Sequence, residues 1–81
     1  MRIEFFKSAL CPRCRLAAYA LKKIKKEYPD IEIESIEMIC NLDRFRQARV
    51  RSIPTIIIND NKLTGLFLTP AKIRNFITGN F

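Results

Sequence analysis

Two thiols three positions apart, in Cys11-Pro12-Arg13-Cys14, are the residues of this chain best equipped for chemistry. They fall where an apolar run ends and a helical pattern begins, and that position governs what they can do. A side chain at a helix start meets unsatisfied N–H groups and the positive end of the helix dipole, both of which favour a thiolate over a thiol. Arg13, Arg15 and Lys7 add positive charge in the same direction. A free cysteine titrates near ~8.5, whereas the exposed member of such a pair falls to ~7 or below. Cys11 is therefore the expected nucleophile. Cys14, one turn further into the helix and more buried, is the expected resolving thiol.

Other uses of the pair have to be weighed. Zinc takes four ligands, and a chain with no histidine and one further cysteine, Cys40, cannot complete such a site alone. A dimer sharing two pairs could. Two inert core thiols are the blandest reading, but a Pro-started helix flanked by arginines is a poor place to bury them. Cys40 itself belongs to neither motif and is expected as a small core residue, following the burial habit of free cysteine.

The pair is positioned by a regular succession of elements. Arg2 to Phe6 suits a buried strand, and Lys7-Ser8-Ala9 opens a loop. From Pro12 to Tyr28 the apolar residues Leu16, Ala17, Ala20, Leu21, Ile24 and Tyr28 recur three or four apart, and Pro29-Asp30 ends the helix. Pro12 suits the first helical position, where its missing N–H costs nothing. Ile31-Glu32-Ile33-Glu34 alternates as a half-exposed strand does, and its phase slips near Ser35-Ile36, as an edge strand would allow. Asn41 can cap a short helix carrying Leu42, Phe45 and Ala48, broken by Val50 to Pro54. Thr55 to Ile58 reads as a central strand, Asn59-Asp60-Asn61 as a turn, and Lys62 to Leu66 as the antiparallel return, with Gly65 at a bulge or close approach. Thr69 can cap a last helix with Pro70 at its first position, Ile73, Phe76 and Ile77 facing inward, and Gly79 just past its end. A right-handed crossover makes the first two strands parallel, and the hairpin completes a mixed four-stranded sheet covered by three helices, βαβαββα.

The 81 residues allow one domain, 1–81, with one core and one site. A 48% hydrophobic share is too rich for a disordered chain, and 28% charged residues suit a soluble surface. Nothing in Met1 to Lys7 resembles a secretory signal, and no run approaches the roughly 20 apolar residues of a membrane span. A cytoplasmic location, with no membrane partner, is the expectation. The formal charge of +7 predicts attraction to acidic partners, although Lys22, Lys23, Lys25 and Lys26 can simply solvate one helix face.

The chain resembles the thioredoxin-fold proteins, and within them the compact glutaredoxin-like thioredoxins of archaea and some bacteria. The resemblance covers nearly the whole chain. It rests on Ile3-Glu4-Phe5-Phe6 running into Cys11-Pro12-Arg13-Cys14, on Arg51-Ser52-Ile53-Pro54-Thr55, and on the hairpin and last helix. It implies a cis Pro54 against the cysteines and an Ile53 backbone that pairs with a substrate strand, so Pro12, Arg13, Ile53 and Pro54 are the expected substrate contacts. It further implies reduction of protein disulfides by dithiol exchange without a cofactor, a reductase or small thiol as electron donor, and a monomer. Where full-length thioredoxins carry a Trp before the first cysteine and a buried Asp in the preceding strand, this chain has Leu10 and Phe5. Glu4 is the nearest carboxylate to assist Cys14. Gly65-Leu66-Phe67 stands where glutaredoxins show a Gly-Gly pair and an acidic residue, which argues for protein disulfides over glutathione. Two readings of other classes remain: a nucleic-acid module in which Arg44, Arg46, Arg49 and Arg51 contact phosphates, and metal carriage by a dimer.

Overall fold

A computed structural model describes residues 1–65 and 68–81 of the chain. Its elements run β1 (Arg2–Lys7), α1 (Pro12–Glu27), β2 (Glu32–Glu37), α2 (Leu42–Gln47), β3 (Thr55–Ile58), β4 (Asn61–Thr64) and α3 (Pro70–Thr78). The sheet order is β2-β1-β3-β4, so β2 lies at an edge as its broken alternation implies. β1 and β2 are parallel, with Phe6 opposite Ile36, while β3 runs antiparallel to β1 and to β4. This is the expected mixed four-stranded sheet with three helices.

Alternation along the strands separates two cores. Ile3, Phe5, Ile56 and Ile58 pack with Cys14, Ala17, Leu21 and Ile24 of α1 and with Ile73 and Ile77 of α3. Phe6, Ile36 and Ile57 point the other way and meet Phe45 of α2. Each such side chain contributes roughly 1.5–3 kcal/mol when fully buried, which is how so short a chain holds together. Phe6 and Phe45 meet edge to face with ring centroids 5.0 Å apart. An ion network fastens the same α2 face: Arg44 donates to Glu34 Oε2 at 2.7 Å and to Glu4 Oε2 at 2.8 Å, and Arg2 reaches Glu34 as well.

The helix ends use their sequence signals. Thr69 Oγ1 accepts the Lys72 N–H at 3.2 Å, Pro70 opens α3, and Gly79 stands at its C-cap. α2 ends in a Schellman arrangement, with the Val50 N–H on the Phe45 carbonyl and the Arg49 N–H on the Arg46 carbonyl. Its left-handed position is Arg49, at φ 56°, where glycine is usual. Asn59 and Asp60, also at positive φ, make the tight turn between β3 and β4. The return strand stops at Thr64; Leu66, where it was expected to end, lies outside the described residues, as does Phe67. Gly65, just past the end of β4, is a close approach, since a Cβ there would sit 3.3 Å from Leu68 Cδ2.

Several expectations need correction. Leu16 is 61% exposed, because the inward stripe of α1 is set by Cys14, Ala17, Leu21 and Ile24, and Leu16 lies about 200° around the helix from Cys14. Asn41 precedes α2 but makes no side-chain cap; its amide donates to the Glu37 carbonyl at 3.0 Å. Leu42 is exposed, leaving Phe45 as the buried anchor of that helix. Cys40 is exposed too, on the loop leaving β2, and is no core residue. Phe76 is only half-buried against the α1–α3 core.

Candidate functional site

Parallel β1 and β2 finish at one end of the sheet, and antiparallel β3 begins there, with Thr55 opposite Phe6. The Cys11 loop, the segment after Glu37 and the Ser52–Pro54 loop are thereby gathered at that end. Cys11 occupies the N-cap of α1 in extended conformation, φ −101° and ψ 111°, and its Sγ accepts the Cys14 N–H at 3.3 Å. The sulfur thus does what a Ser or Asp oxygen does at other helix starts, and a sulfur accepting an N–H is more stable ionised. Cys11, Cys14 and Cys40 are all free thiols.

Burial raises the Cys11 thiol, but hydrogen bonds from the Cys14 side chain and from the Cys14 and Arg13 backbones, together with the Arg13 charge, outweigh it and bring the thiol below its ordinary value. Cys14 goes the opposite way. Burial, and next its hydrogen bond and repulsion with Cys11, push it up to about 11. Two thiols of one motif are thereby driven apart, so that one ionises early and its neighbour holds its proton.

Cys11 keeps 9% of its surface exposed against 2% for Cys14. The order of exposure is as expected, but Cys11 is far more enclosed than an exposed nucleophile was expected to be, because it also packs into the α1–α3 core. Pro12 is exposed, and Arg13 is half-buried. The Ile53–Pro54 peptide is cis and Pro54 is buried. Ile53 packs against the core cluster that holds both cysteines, and with Arg13, Ser52, Thr64 and Gly65 it lines a shallow cleft beside them. The Thr55 hydroxyl donates to the Ser52 carbonyl at 2.7 Å and fixes that turn. The two motifs, some forty residues apart, therefore share one site. Arg15 is exposed, and Arg13 is the basic residue whose charge bears on both thiols.

Glu4 cannot serve Cys14. It lies on the α2 face of the sheet, with its carboxylate on Arg44, whereas Cys14 is on the α1 face. A different carboxylate supports the site. Glu37 Oε2 accepts the Ala9 N–H at 2.8 Å and Oε1 accepts the Ile39 N–H at 3.3 Å, clipping the loop before Cys11 to the loop after β2. No motif marks Glu37 in the sequence; its place at the end of an edge strand was the available signal. Thr64 on the cleft rim was likewise missed.

The other readings gain nothing from the structure. Arg44, first of the four arginines assigned to phosphates, is bound to Glu34 and Glu4. Among the described residues no group of three or more His, Cys, Asp or Glu side chains converges on a point where a metal could sit.

An N-capping thiol of lowered proton affinity, a buried partner of raised affinity and a neighbouring cis-proline loop define a dithiol–disulfide exchange site on an α/β sheet. Comparison with known proteins agrees. The Thioredoxin domain family matches residues 1–78. A thioredoxin of Methanocaldococcus jannaschii is 33% identical over 60 residues, 73% of this chain and 71% of that protein. A probable thioredoxin of Methanothermobacter thermautotrophicus is 32% identical over the same shares. Among solved structures, thioredoxin 1 of Thermosipho africanus superposes with TM-score 0.75 at 28% identity over 96% of both chains. Oxidised mitochondrial thioredoxin 3 of Saccharomyces cerevisiae gives 0.84 at 19% identity, over 96% of this chain and 76% of that one, and attests the fold. The chain belongs to the thioredoxin domain family, and its function is thiol–disulfide oxidoreduction.

Proposed function

We propose that the protein reduces disulfides of other proteins through Cys11 and Cys14, with Pro12, Arg13, Ile53 and Pro54 as the substrate contacts. The observation that carries this reading is the Cys11 sulfur at the α1 N-cap, accepting the Cys14 N–H. The Cys11 thiolate attacks one sulfur of the substrate disulfide, forming a mixed disulfide and releasing the other sulfur as a thiolate that takes up a proton. Cys14 then loses its proton and attacks the Cys11 sulfur. The substrate leaves with both sulfurs reduced, and a Cys11–Cys14 disulfide remains. The raised proton affinity of Cys14 fits this order, since the second thiol stays silent until the first has reacted.

Regeneration requires two electrons from a dithiol reductase or a small thiol. The cycle needs no cofactor and runs within one domain, 1–81, acting as a cytoplasmic monomer; no helix among the described residues is long and apolar enough to cross a membrane. Reduction of insulin disulfides by dithiothreitol, with wild type, Cys11→Ser and Cys14→Ser compared, tests the reading. Wild type should accelerate the reaction, and Cys14→Ser should accumulate covalent partner complexes that Cys11→Ser does not. Equal rates for all three proteins would refute it.

A further inference from the structure

Beside the site, on the flank of α2, Met38, Leu42, Phe45 and Val50 form the floor of a cleft rimmed by Arg46, Arg49 and Arg51. It reaches the active end of the sheet, because Met38 and Leu42 follow the C-terminal end of β2, and Arg51 stands three residues before Pro54. Its charge is not taken up by ion pairs. Arg44, from the same helix, is held by two carboxylates, whereas Arg46, Arg49 and Arg51 are exposed and meet no carboxylate within ion-pair distance among the described residues. Three like charges thus stand around one cleft, none of them tied in an ion pair among the described residues.

Arg49 supplies a second observation. It holds the left-handed position of the Schellman turn at φ 56°, where a side chain is disfavoured relative to glycine. Its carbonyl is already satisfied by Lys62 Nζ at 3.0 Å, so the backbone gains nothing from arginine over glycine. A charged side chain kept at a strained position, beside two more and above an apolar floor, is what a surface complementary to an acidic partner requires.

Resting on the proposed reduction of protein disulfides, we propose that this cleft docks an acidic segment of the client protein, flanking its disulfide, with an apolar side chain seated on Leu42, Phe45 and Val50 while its carboxylates meet Arg46, Arg49 and Arg51. The apolar floor favours such a peptide over a nucleic-acid backbone, whose phosphates would leave it uncovered.

The test uses two synthetic disulfide-looped peptides with one leucine in the flank, surrounded by Asp and Glu in one and by Lys in the other, together with the uncharged hydroxyethyl disulfide. Wild type should reduce the acidic peptide faster than the basic one, with a preference that fades as salt is raised. In Arg46→Gln/Arg49→Gly/Arg51→Gln, kcat/KM should fall roughly tenfold on the acidic peptide, rise on the basic one and stay unchanged on hydroxyethyl disulfide, a pattern that typical surface ion pairs can produce together. Arg49→Gly alone should match or exceed the wild type in urea resistance and still lose part of the preference, which separates docking from folding. Equal change on all three disulfides, no change on any, or loss only of binding to random duplex DNA would overturn the docking proposal while leaving dithiol chemistry standing. Wild type failing to reduce even hydroxyethyl disulfide would remove the underlying reading, and this one with it.

Discussion

Alkylation with iodoacetamide at pH 7 should distinguish the two site thiols by a margin the structure sets. Cys14 is pushed up to about 11, and Cys11 lies below the ordinary thiol value, so roughly two pH units separate them. Each unit is a factor of ten in proton affinity, so at pH 7 the thiolate fraction of Cys11 exceeds that of Cys14 by about 100-fold or more. The more basic thiolate is also the better nucleophile, and with a Brønsted slope of about 0.4–0.5 it recovers roughly six- to tenfold. A net preference of about tenfold or more remains before access is counted, and access favours Cys11 further, at 9% exposure against 2%. The preference should narrow once pH exceeds the Cys11 value, because Cys11 is then fully ionised while Cys14 still gains tenfold per unit. Initial rates of label uptake, located by fragmenting the intact protein, give both numbers and keep the exposed Cys40 apart. Equal labelling of Cys11 and Cys14 at pH 7, or a ratio that does not change with pH, would refute the electrostatic account of the site.

Acid should weaken the ion network that fastens α2 to the sheet. Hydrogen bonds from Arg44 and then Arg2 hold the Glu34 carboxyl down at about 2, so its contribution is complete above the ordinary value near 4.5 and is lost as pH falls from there toward 2. Urea midpoints at pH 6 and pH 3 should differ less in Arg44→Met than in wild type, and an identical difference would count against the network. Phe45→Ala should cost about 3–5 kcal/mol by emptying the α2 core, where Phe45 is buried against Phe6. Urea unfolding measures that cost, and a loss under 1 kcal/mol would mean that α2 is held by its ions and not by its ring.

The order of elements was legible because each helix and turn carries a local signal: Pro12 and Pro70 at helix starts, Thr69 as a cap, Asn59-Asp60 at a tight turn. The cysteine pair was legible for the same reason, since both thiols and the backbone that perturbs them lie within one turn. What could not be read was set by partners distant in sequence. Arg44 looked like a phosphate contact until the fold brought it to Glu4, forty residues away. Glu37 gained its role only when parallel pairing placed it beside Ala9. The error at Leu16 is different: the helical period was right, but its phase is anchored by Cys14, which belongs to the inward stripe as well as to the chemistry.

The two borders of the sheet differ in kind from its working end. One border, β2, carries Glu32, Glu34 and Glu37, and the other, β4, is four residues long with Lys62 in it. Neither offers a long greasy ribbon on which a stray polypeptide could zip up by backbone pairing. Contact made at the working end can thus be broken again without either border being drawn into backbone pairing.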